Sequence, residues 1–375
     1  MANIVILGGG FGGVVAAESL AKQLGAKHQI TLVSRTSQFL FHPALVRLAF
    51  GKCQPADVSF DLRQALLDRQ VRFIEAEIAR IDSQARHVLL AHGELAGELR
   101  YDYLIFALGR RLATELITGF FENAQHLLTV EAALNFSDAL GKFREGRAII
   151  GQCPGARLPV PVYETAFALS EFLEDRGARE QTRITIVSPD APGYQFGDAE
   201  AARALRSALD KHSIEFLPDF PIDRVTPGAV LTSNGHALNY HLLMLLPPFR
   251  GPGAATGLGI TNEEGYLNVD RAMRVPGVER IYAVGDCANF AGPKLGHMAV
   301  HQAEVAAANI SLQIKGYEPL AAYNHELMLV LDEGGQETIY LHKDLWTDEP
   351  AKVRQGRFWH WAKLVQEKYW EALHS

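Results

Sequence analysis

The apolar positions of this chain fall into two patterns that alternate along it. Short unbroken runs at residues 4–7 (Ile-Val-Ile-Leu), 103–106 (Tyr-Leu-Ile-Phe), 148–150 (Ala-Ile-Ile), 242–246 (Leu-Leu-Met-Leu-Leu) and 281–284 (Ile-Tyr-Ala-Val) each stop at or near glycine or proline. Runs of that length, bounded by turn residues, predict strands buried on both faces, as in parallel sheets. Residues 29–33, 71–80, 88–90 and 183–187 read as further strands. Residues 62–69, 165–173 and about 297–314 read as helices. Residues 327–332 and 338–341 read as a hairpin around Gly334 and Gly335. Strand, helix and strand in alternation predict an α/β fold.

Glycines make that fold specific. The first strand runs into Gly8-Gly9-Gly10-Phe11-Gly12-Gly13 and an alanine-rich helix. Gly8, Gly10 and Gly13 have the G-x-G-x-x-G spacing: one for a tight turn, one for close approach of a pyrophosphate, one for packing helix on strand. The helix N-terminus would offer free N–H groups to the phosphates, so a bound dinucleotide is expected. The second strand should end on an acid for the ribose about 20 residues later, but this chain has Ser34 and Arg35. Ser34 would bond a ribose hydroxyl; Arg35 would meet an adenine or phosphate, or be a solvated strand end. A second strand–turn unit starts at Ala148, and its loop, Cys153-Pro154-Gly155-Ala156-Arg157-Leu158-Pro159-Val160-Pro161, lacks the glycine spacing. Three prolines and Arg157 stand where bare backbone would be needed. The expected architecture is two Rossmann-like dinucleotide-binding domains with a small C-terminal membrane-facing segment. Its parts are a first domain (1–110), a connection (111–147), a degenerate second domain (148–250), the rest of the first domain (251–318) and a C-terminal hairpin and helix (319–375).

Composition narrows the classes. A chain of 375 residues exceeds one ordinary core. A net charge of −7 argues against nucleic acid as a partner. Three scattered cysteines make no secreted disulfide framework. The N-terminus reads as a core strand rather than a signal peptide, and no metal site is expected. No stretch approaches the roughly 18 apolar residues that span a bilayer. At the tail, Phe358, Trp361, Ala362, Val365 and Tyr369 recur at helical spacing, with Lys352, Arg354, Arg357, Lys363 and Lys368 nearby. Such an aromatic, basic helix suits a membrane surface, or else docking on the protein's own body or a second copy.

The N-terminal glycines, the Ala107-Leu108-Gly109 strand end and Tyr282-Ala283-Val284-Gly285-Asp286 resemble the FAD-dependent pyridine nucleotide-disulfide oxidoreductase superfamily. Residues 39–45, 153–164 and Pro293-Lys294-Leu295-Gly296-His297-Met298 are similar to its sulfide:quinone oxidoreductase and flavocytochrome c sulfide dehydrogenase branch, which is related to type II NADH dehydrogenases. The resemblance implies FAD held by Gly8, Gly10, Phe11 and Gly13, with Ala107 and Gly109 beside it. Asp286 would bond the ribityl chain, Gly285 would leave room, and Pro43 would lie near the flavin ring. The helix from His297, with Lys294, would stabilise the anionic reduced flavin.

The resemblance also implies a quinone acceptor, a small-molecule reductant (sulfide or NADH) and peripheral attachment to the cytoplasmic face of the inner membrane. A homo-oligomer stays open. Cys153 stands where the sulfide dehydrogenases place their first redox cysteine; many quinone reductases place it where this chain has Leu158. The partner cysteine, expected near residues 327–331, is missing, and Cys53 and Cys287 match neither position. The NADH dehydrogenases need the second glycine motif, and their quinone-site Gln pair stands here as His297 and His301. Glu164 matches an acid near quinone and flavin in both branches and suits proton relay, or is an acid favoured by the helix dipole. Catalytic candidates are therefore Cys153, Glu164 and Lys294. The expected function is electron transfer from a sulfide-type reductant through FAD to quinone. The alternatives are a type II NADH:quinone oxidoreductase and a flavin-binding redox sensor or scaffold without turnover.

Overall fold

The computed structural model describes residues 1–93, 97–335 and 337–374. Its largest sheet has seven strands in the order Ile281–Ala283, Tyr103–Phe106, Asn3–Leu7, Gln29–Ser34, Arg72–Asp82, His87–Gly93 and Gly97–Arg100. The first five are parallel, and the last two add antiparallel at the edge. Ile4, Ile6, Leu104, Ile105 and Phe106 are fully buried, as continuous apolar runs covered on both faces must be. Helix Phe11–Leu24 packs along helix Gly296–Ile314. Gly12, Gly13, Ala16, Ala17, Ala299, Ala303, Ala306 and Ala307 are buried there, and their small size lets the two helices approach closely.

A second parallel sheet orders Glu215–Leu217, Thr182–Val187, Gly146–Gln152 and Leu242–Leu246. Helix Val160–Asp175 packs on it. This helix begins five residues before the expected 165, and the prolines do not forbid that. Pro159 is the cap residue and Pro161 lies in the first turn, where a missing N–H breaks no intrahelical bond.

The hairpin Glu326–Gly334 with Glu337–Asp344 forms as expected, and a third strand, Lys352–Gln355, joins it. Leu327, Leu329 and Leu331 alternate inward and share a core with Phe167 and Leu169 of helix Val160–Asp175. Helix Phe358–His374 closes the chain. Residues 39–45 include the end of a short strand, Gln38–Leu40, and a tight turn, His42–Ala44. No helix among the described residues is long and apolar enough to cross a membrane.

Candidate active site

The first strand–turn–helix unit is shaped by what its glycines exclude. Gly8 has φ +113°, and a Cβ there would lie 2.2 Å from the Ala107 carbonyl oxygen. A Cβ on Gly13 would lie 1.8 Å from the Gly8 oxygen. A Cβ on Gly10 meets nothing within 4 Å, so the turn opens outward at the residue that caps the helix. No side chain caps that helix and no acid sits in its first turn. Its N–H groups and dipole are left for an anion, which fits the diphosphate of a dinucleotide. Ser34 Oγ would come within 2.8 Å of a Cβ on Gly9, so the second strand end does reach this turn. Arg35 is exposed.

Two further loops face the same place. Gly285, at φ +75°, donates its N–H to Gln302 Oε1 at 2.7 Å and presents Asp286. Asp286 is paired with the guanidinium of Arg110, which follows Gly109 and lies over the ring of Phe249. No sequence signal pointed to Arg110; its position one residue beyond the Ala107-Leu108-Gly109 strand end is the clue in hindsight. His42 and Pro43 expose their side chains to water, yet protein surrounds His42. That enclosure, with the charge of Arg110, lowers its pKa to about 4. A small pocket is lined by Gly285, Asp286, Phe290, Lys294, Gln302 and His325. Lys294 is buried and donates to the Ala288 carbonyl at 2.5 Å. Burial and neighbouring Arg157 lower its pKa to about 7. His297, on the helix that starts at Gly296, turns to the hairpin: its Nε2 lies 3.0 Å from the Glu326 oxygen and 3.1 Å from the Met328 amide nitrogen. Burial lowers its pKa to about 4, leaving it neutral. His301 is exposed.

The second unit is closed. A Cβ on Gly151 would strike Val187 Cγ2 at 2.5 Å, so this glycine serves strand packing. Val162 N–H is bonded to the Pro159 oxygen and Pro161 has none, so little of the helix end is free for a phosphate. Arg157 crosses to the first domain, donating to the carbonyls of Gly292 (2.9 Å from Nε) and Phe290. Cys153 is fully buried beside Ile149, Phe220 and Leu245. That burial pushes its thiol pKa far up, opposite to what a reactive thiolate needs.

The C-terminal helix is bound on three sides. Trp359 stacks on Tyr340 at 3.9 Å. Trp370 stacks on Phe39 at 5.5 Å and meets the ring of Phe11 edge-on at 4.8 Å. Lys363 turns inward and bonds Glu164 Oε1 at 2.7 Å and Asp332 Oδ2 at 2.6 Å, with His360 Nδ1 at 3.3 Å from Asp332. Burial raises the Glu164 carboxyl to about 7, opposed by Lys363 and assisted by Asp332. Burial acts on Asp332 in the same sense, but Lys363 and His360 hold it below its ordinary value. Lys363 therefore does not face a membrane. Glu164, expected at the helix start, lies in the second turn because the helix starts earlier. Phe358, Trp361 and Val365 are 72%, 59% and 67% exposed and form the outer face. The side chain of Tyr369 lies outside the described residues.

Comparison with known proteins settles the class. The profile of the pyridine nucleotide-disulphide oxidoreductases matches residues 2–303. The chain belongs to that family. As a member it is an FAD-dependent oxidoreductase, and it is similar to sulfide:quinone reductases. It is 26% identical to the sulfide-quinone reductase of Aquifex aeolicus, over 98% of this chain and 90% of that one. It is 22% identical to the mitochondrial sulfide:quinone oxidoreductase of Mus musculus, over 94% and 80%. It is 24% identical to a type II NADH:quinone oxidoreductase of Haemophilus influenzae, over 87% and 83%. The X-ray structure of the Aquifex aeolicus enzyme superposes with a TM-score of 0.91, covering 98% of this chain and 90% of that one at 26% identity.

Proposed function

We propose that this protein passes electrons from a small-molecule reductant of the sulfide type, through FAD, to a membrane quinone. The observation that carries this reading is the contrast between its two Rossmann-like turns: the first is open and uncapped, the second filled. Bound FAD supplies the two-electron chemistry. The chain's own residues do the rest. The Gly8–Gly13 backbone and the start of helix Phe11–Leu24 hold the diphosphate. Asp286 bonds the ribityl hydroxyls, and the helix from Gly296 and Lys294 favour negative charge on the ring edge. Glu164 holds a proton at its carboxyl for the quinone, with Lys363 beside it to steady the ionised form. Cys153 is a packed thiol rather than a nucleophile. No cysteine lies on strand Glu326–Gly334, so the donor reacts without a cysteine pair.

The outer face of the tail, with Phe358, Trp361, Val365 and exposed Lys368, rests on an anionic bilayer surface, on the cytoplasmic side of the inner membrane in this reading. Stopped-flow absorbance at roughly 450 nm, where oxidised flavin absorbs, tests the donor. Sulfide should bleach the flavin and a short-chain quinone restore it; bleaching by NADH would favour the type II NADH:quinone alternative. Binding of flavin without any turnover to quinone would leave the sensor or scaffold reading.

A further inference from the structure

The segment between Asp286 and helix Gly296–Ile314 forms one wall of the pocket. Phe290, Pro293, Lys294 and Leu295 all line it, yet residues 289–295 are neither helix nor strand. A segment without a ladder must satisfy its backbone groups in other ways. Here side chains do so at four carbonyls. Ala288 accepts from Lys294 Nζ at 2.5 Å, and Ala291 from His325 Nε2 at 2.8 Å. Phe290 and Gly292 both accept from Arg157, which reaches Gly292 from Nε at 2.9 Å and from Nη2 at 2.7 Å. The Arg157 oxygen in turn accepts the Lys294 N–H at 2.7 Å. One residue of the second domain therefore grips this wall at both Phe290 and Lys294. The grip is itself anchored: the Gly155 oxygen accepts the Phe249 N–H at 3.1 Å, and the Ala156 oxygen accepts from Gln195 Nε2 at 3.0 Å. The ring of Tyr266 lies against both cations, with the Arg157 Cζ 5.6 Å and the Lys294 Nζ 4.8 Å from its centroid. Tyr266 is fully buried, and its hydroxyl has no hydrogen-bond partner among the described residues. Its part is to present a ring face that orients the guanidinium.

We propose that Arg157 is a positioning residue for the flavin: it holds the Phe290–Leu295 wall, and with it Lys294 and the start of helix Gly296–Ile314, in the geometry that favours the reduced cofactor. This rests on the reading of the first domain as the FAD site, with Lys294 and that helix start at the ring edge. It gives a use to the loop of the second domain that has lost its nucleotide. A guanidinium suits the task because its fixed planar fork serves two carbonyls at once, whereas an ammonium is a point charge on a flexible stem. The work of Arg157 lies in its shape, so a lysine in its place keeps the charge and loses the hold.

The test uses the full-length, FAD-loaded protein and reads the flavin's reduction potential against reference dyes, with the visible spectrum and the melting temperature measured alongside. Arg157→Met should weaken binding of reduced relative to oxidised flavin about tenfold, a fall of about 30 mV for a two-electron couple. Arg157→Lys should fall nearly as far, and it carries the test alone if Arg157→Met does not fold. In a Lys294→Met background the Arg157 substitution should add little, since residues that act through one contact are not additive. A wild-type potential in Arg157→Lys overturns the proposal, because the charge alone would then suffice. So does a lowered melting temperature with potential and spectrum unchanged, and so do Arg157→Met and Lys294→Met shifts that add in full. In each of these outcomes flavin is still bound, so the functional reading stands. Wild-type protein that takes up no flavin sinks that reading instead.

Discussion

The two Rossmann-like units use the same strand–turn–helix plan and end differently. In the first, Gly10 opens on empty space and the helix start is uncapped. In the second, Pro159 and Pro161 remove donors where a phosphate would seek them, and Arg157 fastens the loop to the other domain. A Rossmann-like fold thus states nothing about occupancy; the first turn of the helix does. The second helix has found another use for its N-terminal half. It carries Glu164, and the charge facing that acid comes from the tail rather than from a nucleotide.

That contrast can be broken most sharply at Gly10. A Cβ there meets nothing within 4 Å, so Gly10→Glu should fold, yet put bulk and negative charge where the diphosphate belongs. We expect FAD affinity to fall about a hundredfold or more, each tenfold being about 1.4 kcal/mol, read from flavin content and FAD titration. Retained yellow protein would remove the phosphate role of this turn.

Next in size is Lys363→Met, which leaves Glu164 and Asp332 buried without their cation. Breaking a buried pair from one side costs about 3–5 kcal/mol. Chemical denaturation should show that loss, and it should shrink in a Glu164→Gln, Asp332→Asn, Lys363→Met triple variant. An unchanged midpoint would mean that the tail is not latched there.

The pH dependence sharpens the role of Glu164. Its folded pKa is raised, to about 7, so the folded state holds this proton more tightly than the unfolded chain does. The associated stability is present in full below the ordinary carboxylate range and is lost as pH rises through 7. If the same proton serves quinone reduction, kcat should inflect near pH 7 in the native enzyme, and the inflection should vanish in Glu164→Gln. A profile identical in both would end the relay.

A smaller effect is expected on the tail's outer face. Phe358→Ser, Trp361→Ser and Val365→Ser together should shift the protein off anionic vesicles without altering flavin content. Deleting the whole helix would not isolate this effect, because it also removes Trp370 from Phe11 and Lys363 from Glu164. The least change is predicted for Pro161→Ala: one restored N–H should not confer NADH binding, measured by fluorescence titration, because Arg157 still fills the loop.

Much of the fold was legible because it is local. The runs at residues 4–7 and 242–246, and the glycine spacing after the first, each carry their own explanation in adjacent residues. Only contiguous motifs, such as Gly8, Gly10 and Gly13 or Gly285 and Asp286, could be read from the sequence as candidates for the site. Arg110 and Lys363 could not, because their partners Asp286 and Glu164 stand 176 and 199 residues away. Periodicity does not record such pairings. The helix start at His297 was expected to face the flavin, and the sequence did not say that the His297 side chain meets the hairpin, since a helix start fixes the backbone but not which neighbour a side chain touches.

The amino-acid order alone determined that this chain folds as two α/β units, that the first keeps a phosphate turn and that the second has lost its own, because backbone freedom and apolar periodicity are properties of neighbouring residues. Only the tertiary structure decided that the basic tail turns Lys363 inward, that Cys153 is sealed in a core, and that Arg157 and Lys294 share one unpartnered phenol. Burial and charge compensation depend on which distant segments meet, and that is fixed when the sheets, hairpin and tail close on one another.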